Sequence, residues 1–247
     1  MQKILAAAVI ILSAASSAFS AFNASDNAST SNYPGGTWTT GSNGGVGFGA
    51  WTLTSTPAGG FSGSYIGGTA LGNPTFGIYS GGNAAATMLA YRPFTGGGLT
   101  SGQAFSVSLA NTATINGQIG LNLMSGATAR WTLKFVGGGQ NWLLNDGGGS
   151  DFSSGQAYIA NNPLTLTFTY NGGNSYSYVF GTGSGNNFTA ANLANIDGVQ
   201  FFSVNQGGGE NMGINNLSVV PEPSTYALLA LSAAAFGGYV ARRRRRS

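Results

Sequence analysis

Apolar and polar residues alternate in short runs through the middle of this chain, and clusters of Gly, Asn and Ser separate one run from the next. Period-two alternation of this kind predicts half-buried strands joined by tight turns. The clearest runs are Gln103 to Leu109, Gln118 to Met124, Ala129 to Val136, Leu164 to Tyr170, Ser175 to Phe180, Val199 to Val204 and Gly213 to Val219. Within them Phe105/Val107/Leu109, Ile119/Leu121/Leu123, Trp131/Leu133/Phe135 and Leu164/Leu166/Phe168 point one way, while Thr165, Thr167 and Thr169 face the other. Weaker strands are expected at Gly47 to Thr54, Thr75 to Ser80 and Ala86 to Tyr91, and Asn171-Gly172-Gly173-Asn174 reads as a hairpin turn. No long helical stripe appears in the body. The pattern predicts an all-β fold, an antiparallel two-sheet β-sandwich of jelly-roll type whose apolar faces meet in one core.

The clusters at Gly96 to Gly98, Gly137 to Gly139, Gly147 to Gly149 and Gly207 to Gly209 fall at unequal spacings, so they read as loops and not as a repeat array. None is followed by the Lys-Ser/Thr and helix that a phosphate cradle needs. Charged residues make up only 6% of the 247 positions, so solubility must come from amides, hydroxyls and backbone. Cysteine and histidine are absent, which excludes disulfides, a thiol nucleophile, a Cys/His zinc site and an imidazole base. Between Ala21 and Val220, Arg92, Arg130 and Lys134 stand against Asp26, Asp146, Asp151, Asp197 and Glu210, a net charge of −2. That balance argues against a nucleic-acid partner, which needs clustered cations.

The ends read as addresses. Lys3, the apolar run Ile4 to Ala15 and the small residues Ser16 to Ser20 have the order of a secretory signal peptide over residues 1–20, with cleavage expected between Ser20 and Ala21. Its helical apolar core is too short to span a bilayer, so the secretion machinery is the implied partner. A body of residues 21–219 follows, and then residues 220–247 hold Pro221-Glu222-Pro223-Ser224, an apolar helix-forming run from Ala227 to Ala241 and Arg242, Arg243, Arg244, Arg245 and Arg246. The prolines keep the chain extended, and the arginines stay cytoplasmic by the positive-inside rule. This ordered triplet resembles the PEP-CTERM sorting signal. The resemblance implies an exported protein held in the inner membrane by its C-terminal helix, then processed by an exosortase and left at the cell surface or outside the cell. It also implies a Gram-negative host that makes exopolysaccharide. The segment Ile214 to Val219 resembles the closing strand of concanavalin A-like jelly rolls.

Candidate chemistry in the body is sparse. The Glu-x-Asp-x-x-Glu strand motif of jelly-roll glucanases is absent, leaving Asp146 with Asp151, or Asp197 with Glu210, as the carboxylate pairs a glycan-active enzyme could use. Turn-forming Asp is the plainer reading. Asp146, Asp151 and nearby carbonyls are suitable oxygen ligands for structural calcium, although the segment matches no EF-hand loop; no other cofactor or metal is expected. Trp131 belongs to a core row, whereas Trp38, Trp51 and Trp142 lie nearer loops or strand ends, where a ring either closes over the core, as large aromatics mostly do, or stacks on a sugar. Tyr33, Tyr65 and Tyr79 share that ambiguity. The sequence thus points to a non-enzymatic exported surface or matrix protein associating with exopolysaccharide. A secreted glycan-active enzyme and a self-associating coat protein stand as alternatives.

Overall fold

Residues with alternating apolar side chains form strands here because only pairing satisfies their backbone groups while one face is buried. A computed structural model describes residues 22–113, 116–193, 195–221 and 232. In chain order its strands are β1 (Ala24–Asp26), β2 (Thr52–Thr56), β3 (Phe61–Thr69), β4 (Gly72–Gly81), β5 (Thr87–Pro93), β6 (Gln103–Asn111), β7 (Gln118–Ser125) and β8 (Thr128–Val136). There follow β9 (Asn141–Asn145), β10 (Phe152–Ala157), β11 (Leu164–Gly172), β12 (Ser175–Phe180), β13 (Gly183–Thr189), β14 (Gly198–Val204) and β15 (Met212–Pro221). They build two antiparallel sheets. The first runs β13-β12-β11-β6-β15-β4-β3, with β1 paired to the second half of β15. The second runs β10-β9-β8-β7-β14-β5-β2.

The expected rows meet between the sheets. Phe105, Val107, Leu109, Leu166 and Phe168 from the first sheet and Ile119, Leu121, Leu123, Trp131, Leu133 and Phe135 from the second are buried in one core. The turn expected at Asn171 to Asn174 joins β11 to β12, with Gly172 and Gly173 at positive φ. The edges of the two sheets are drawn together on both sides. Ser55 of β2 bonds Ser62 of β3 at 2.6 Å between hydroxyls, and the Tyr178 hydroxyl of β12 donates to the Ser154 carbonyl of β10 at 3.1 Å. Cross-linked edges of this kind present less free strand to a second copy.

The strand expected from Gly47 is corrected: pairing begins at Thr52, and Phe48 makes only an isolated bridge to Phe94. Upstream, the chain from Asn27 to Ala50 folds without regular strands over the end of the core, and Gly45 and Gly47 take positive φ to pass close to β1. At Gly47, φ is +73° and an added Cβ would stand 2.2 Å from the Asn23 carbonyl oxygen. Gly47→Ala is therefore expected to destabilise the fold by about 1–3 kcal/mol, read as a lowered melting temperature.

One polar centre is sealed inside this end. Arg92 of β5 and Asp26 of β1 form an ion pair with both side chains fully buried, so it ties one sheet to the other. The Arg92 guanidinium also donates to the Tyr33 hydroxyl at 2.8 Å and the Gly44 carbonyl at 2.6 Å, and lies 4.8 Å from the Trp51 ring centre. Tyr33 donates to Asp26 at 2.6 Å and accepts from the Trp51 indole at 2.9 Å. Burial, with the Asp26 hydrogen bond behind it, pushes the Tyr33 hydroxyl up to about 12. Burial raises Tyr176 as well.

A tyrosine whose folded pKa is raised contributes stability that is complete below its unfolded value near 10 and is lost as pH rises toward the folded value. The body is thus expected to unfold cooperatively between about pH 10 and 12, with phenolate absorbance and circular dichroism changing together. Titration of all tyrosines near pH 10 in an intact fold would contradict this.

The signal helix, the cut between Ser20 and Ala21, the C-terminal helix, and Glu222, Pro223, Ser224 and Arg242 to Arg246 lie outside the described residues. Pro221 is the last residue of β15. Among the described residues, no helix is long and apolar enough to cross a membrane.

Candidate functional site

The second sheet turns its uncharged polar residues outward in register. Strand pairing sets Thr52 opposite Tyr91, Tyr91 opposite Gln200, Gln200 opposite Asn122, Asn122 opposite Thr132 and Thr132 opposite Asn145. Directly opposed residues on one face are close enough to touch, and most of this row does. The Thr132 hydroxyl donates to Asn122 Oδ1 at 2.8 Å, and Asn122 Nδ2 donates to Gln200 Oε1 at 3.2 Å. Both donors are passed in the same direction, so the row ends with Gln200 Nε2 pointing its hydrogens at no protein acceptor among the described residues.

Tyr91 stands beside that free amide. A Cβ on Gly198 would lie 2.8 Å from the Tyr91 ring edge and hydroxyl, so the ring rests against the Gly198 backbone, which is open because no side chain is there. Its other face borders an open groove of about 420 Å³ lined by Thr52, Thr54, Leu89, Met124 and Gln200. The Asp197 carboxylate caps the same end, accepting from the Gly126 amide at 2.9 Å and from Asn195 at 3.2 Å. Burial and the nearby Asp197 charge raise the Tyr91 hydroxyl, which therefore stays a neutral donor at neutral pH. At the far end of the row, Asp151 accepts from Asn145 at 2.9 Å and pairs with Lys134 at 2.8 Å. The Lys134 hydrogen bond, followed by that from Asn145, holds the Asp151 carboxyl below its usual value.

An aromatic ring with one face covered and one open, flanked by a free amide and hydroxyl and by a carboxylate at the groove's end, suits a polyhydroxylated ring with one apolar face.

The three tryptophans singled out for sugar contact are placed elsewhere. Trp38, Trp51 and Trp142 are 4%, 1% and 3% exposed, so all three close over the core, which corrects the candidate glycan contact. Trp38 packs edge-on to Trp51 at 5.0 Å because the N-terminal loop folds inward over the core. Trp142 is the inward residue between Asn141 and Leu143 of β9, and meets Phe180 at 5.2 Å. Tyr33 is buried too, whereas Tyr65 and Tyr79 lie on the outer face of the first sheet.

The acids do not converge. Asp197 precedes β14 and Glu210 follows its far end, where Gly207 bonds Ser80; a strand of that length separates them by about 20 Å, well beyond the spacing of a glycosidase pair. Asp146 accepts from the Tyr176 hydroxyl at 3.2 Å and the Gly148 amide at 3.3 Å, while Asp151 is held by Lys134 and Asn145. Among the described residues, no group of three or more acidic side chains is placed to hold a metal ion.

The row itself went unseen in the sequence. Asn122 between Leu121 and Leu123, and Gln200 between Val199 and Phe201, signal outward positions, but only strand order puts them side by side.

Comparison with known proteins agrees with both parts of the chain. Residues 219–246 match the PEP-CTERM protein-sorting motif, so the chain carries that sorting domain, which marks an exported protein. No curated protein matches the chain. Among solved structures, the body is similar to one described under endo-acting O-glycanases that prominent members of the human gut microbiota express to initiate mucin breakdown. That likeness has a TM-score of 0.50 and 9% identity over 69% of this chain and 91% of the other. A galectin of Caenorhabditis elegans, LEC-6, is similar with a TM-score of 0.41 and 18% identity, over 53% of this chain and 89% of that one. Domain 4 of AbnA, an extracellular arabinanase from Geobacillus stearothermophilus in complex with arabinotriose, is similar with a TM-score of 0.45 and 16% identity, over 71% and 84%. With its two antiparallel sheets closed on one core, the body is a jelly-roll-like β-sandwich.

Proposed function

We propose that this protein is a non-enzymatic component of the cell surface or extracellular matrix. Its tail is cut by an exosortase, and its sandwich holds exopolysaccharide in the groove beside Tyr91. The sorting motif supports export and processing. The observation that carries the glycan reading is the Tyr91 ring resting on Gly198 next to the free Gln200 amide. Stacking supplies affinity there, and Gln200, Asp197 and the threonine hydroxyls fix which sugar hydroxyls fit. The separation of Asp197 from Glu210 and the engaged oxygens of Asp146 and Asp151 favour binding over hydrolysis.

The test is binding of the mature protein to polysaccharide purified from its own host. Tyr91→Ala is expected to weaken binding about tenfold, equivalent to about 1.4 kcal/mol, and Gln200→Ala somewhat less, with melting temperatures nearly unchanged. Undiminished binding by Tyr91→Ala would refute the groove, and absence of binding by the unaltered protein would refute the glycan reading.

A further inference from the structure

On the opposite sheet, the β3–β4 hairpin shows solvent a second set of flat aromatic rings. Pairing sets Phe61 opposite Gly81, Gly63 opposite Tyr79 and Tyr65 opposite Gly77, so each ring faces a glycine on the neighbouring strand. A Cβ at Gly63 would lie 2.5 Å from the Tyr79 hydroxyl, one at Gly77 2.3 Å from Tyr65, and one at Gly81 2.8 Å from Phe61. The rings therefore lie down across the backbone. Their centres follow one another at 6.3 Å from Phe61 to Tyr79 and 6.3 Å from Tyr79 to Tyr65, tilted by 36° and 41°. Phe61 is 39% exposed, uncommon for a phenylalanine in a chain with a complete core.

Beside this ridge is a recess of about 250 Å³ lined by Phe61, Tyr79, Gly209, Glu210 and Asn211. The loop that forms it is fixed at both ends. The Gly207 amide bonds the Ser80 carbonyl at 3.2 Å, and the Asn211 amide bonds the Thr112 hydroxyl at 2.8 Å. Glu210 Oε2 is shut off from solvent yet has no hydrogen-bond partner. Nearby polar groups are otherwise satisfied: Ser80, Ser203, Gln206, Asn111 and Tyr158 bond one another in a buried chain that does not include Glu210. A buried acceptor without a donor is costly and calls for an explanation.

We propose that the ridge and recess form a second saccharide site, which takes a neutral pyranose of a polysaccharide chain. The sugar's apolar face stacks on Phe61 and Tyr79, and one of its hydroxyls donates to Glu210 once the carboxylate turns into the recess. No cation among the described residues lines the recess, so a uronic or sulfated sugar is repelled. Lying on the sheet opposite Tyr91, this site makes the protein bivalent, able to bridge two polysaccharide strands. The inference rests on the glycan reading above and extends it to a second face.

The experiment is a glycan array of neutral hexose, neutral pentose and uronic-acid oligosaccharides, probed with the mature full-length protein and its variants, followed by titration calorimetry on the strongest neutral oligosaccharide. Two sites per chain are expected. Tyr91→Ala should remove one, and Phe61→Ala with Tyr79→Ala the other; Tyr79→Phe should retain both. Glu210→Gln keeps side-chain size and fold, and is expected to lower discrimination against uronic acids at the second site about fivefold. One site per chain, lost in Tyr91→Ala and kept in the Phe61/Tyr79 double variant, would overturn the second site alone. Unchanged discrimination in Glu210→Gln would overturn the role of the carboxylate. Absence of binding anywhere on the array would overturn both readings, and loss of both sites in a Phe61/Tyr79 double variant that still melts normally would overturn their independence.

Discussion

Arg92→Met is expected to cost about 3–5 kcal/mol, because it leaves the Asp26 carboxylate buried without its cation. In a domain of this size that lowers the melting temperature by roughly 10 °C. The side chains of Arg92 and Asp26 are both fully buried, so the carboxylate left behind is screened from bulk water. Burial already raises the Asp26 carboxyl above its usual value, and Arg92 is the strongest of the groups pulling it back down. Without Arg92 the folded carboxyl rises further and prefers its proton. A folded pKa raised above the unfolded one makes the variant most stable below the unfolded value near 3.8, with stability lost as pH rises through the folded value. The variant should therefore melt higher in acid than at neutral pH, relative to the unaltered protein. Adding Asp26→Leu should recover much of the loss, since two apolar groups leave no charge unpaired. Equal melting of Arg92→Met and the parent at neutral pH would refute this account.

That ion pair also shows where sequence reading stops. The rows Phe105/Val107/Leu109, Ile119/Leu121/Leu123 and Trp131/Leu133/Phe135 were legible because burial on one face repeats every second residue. The two-sheet sandwich follows from those rows. β3 and β13 were not legible: each is broken by Gly or Asn, residues that read as turns, and each is held as a strand by its neighbour. Arg92 entered the sequence reading only in the charge balance; that it shares the buried face of β5 and finds a counter-ion there depends on an aspartate 66 residues earlier. The same blindness governs the outer face of the second sheet. Trp38 and Trp51, near loops or strand ends, left a core lid and a sugar platform both open, and the structure decides for the lid, each ring being packed against Phe76. Tyr91, an unremarked strand residue, lies flat because Gly198 on the next strand has no side chain to hold its ring away from the backbone. Sequence shows which residues leave the core; strand order decides which of them meet.

Processing of the tail is bounded by the fold. β15 runs to Pro221, the first residue of the Pro-Glu-Pro motif, so core and sorting signal adjoin without a linker. Leu217 and Val219 are 1% and 0% exposed; Val219 is paired to Phe105 on one side and to Ala24 on the other. A chain ending at residue 216 loses both side chains, worth about 2–4 kcal/mol each, along with the β1 pairing. That sum is comparable with the whole stability of a domain, and such a chain is expected not to fold. A chain ending at residue 221 keeps every buried contact and should melt within a few degrees of the full-length body. The N-terminal end obeys the same geometry, because Gln103 is paired to Pro221 while its side-chain amide donates to the Phe22 carbonyl at 2.7 Å. Phe22 and Pro221, the two ends of the described body, therefore lie at one corner of it. Cleavage at either end then needs no unfolding, provided it falls outside residues 22–219. The intact mass of the mature protein from its host is expected to correspond to a C-terminus at residue 221 or beyond. A mature species ending before Val219, or a cooperative melt from the chain ending at residue 216, would show that β15 is dispensable and that the core does not limit where the tail is cut.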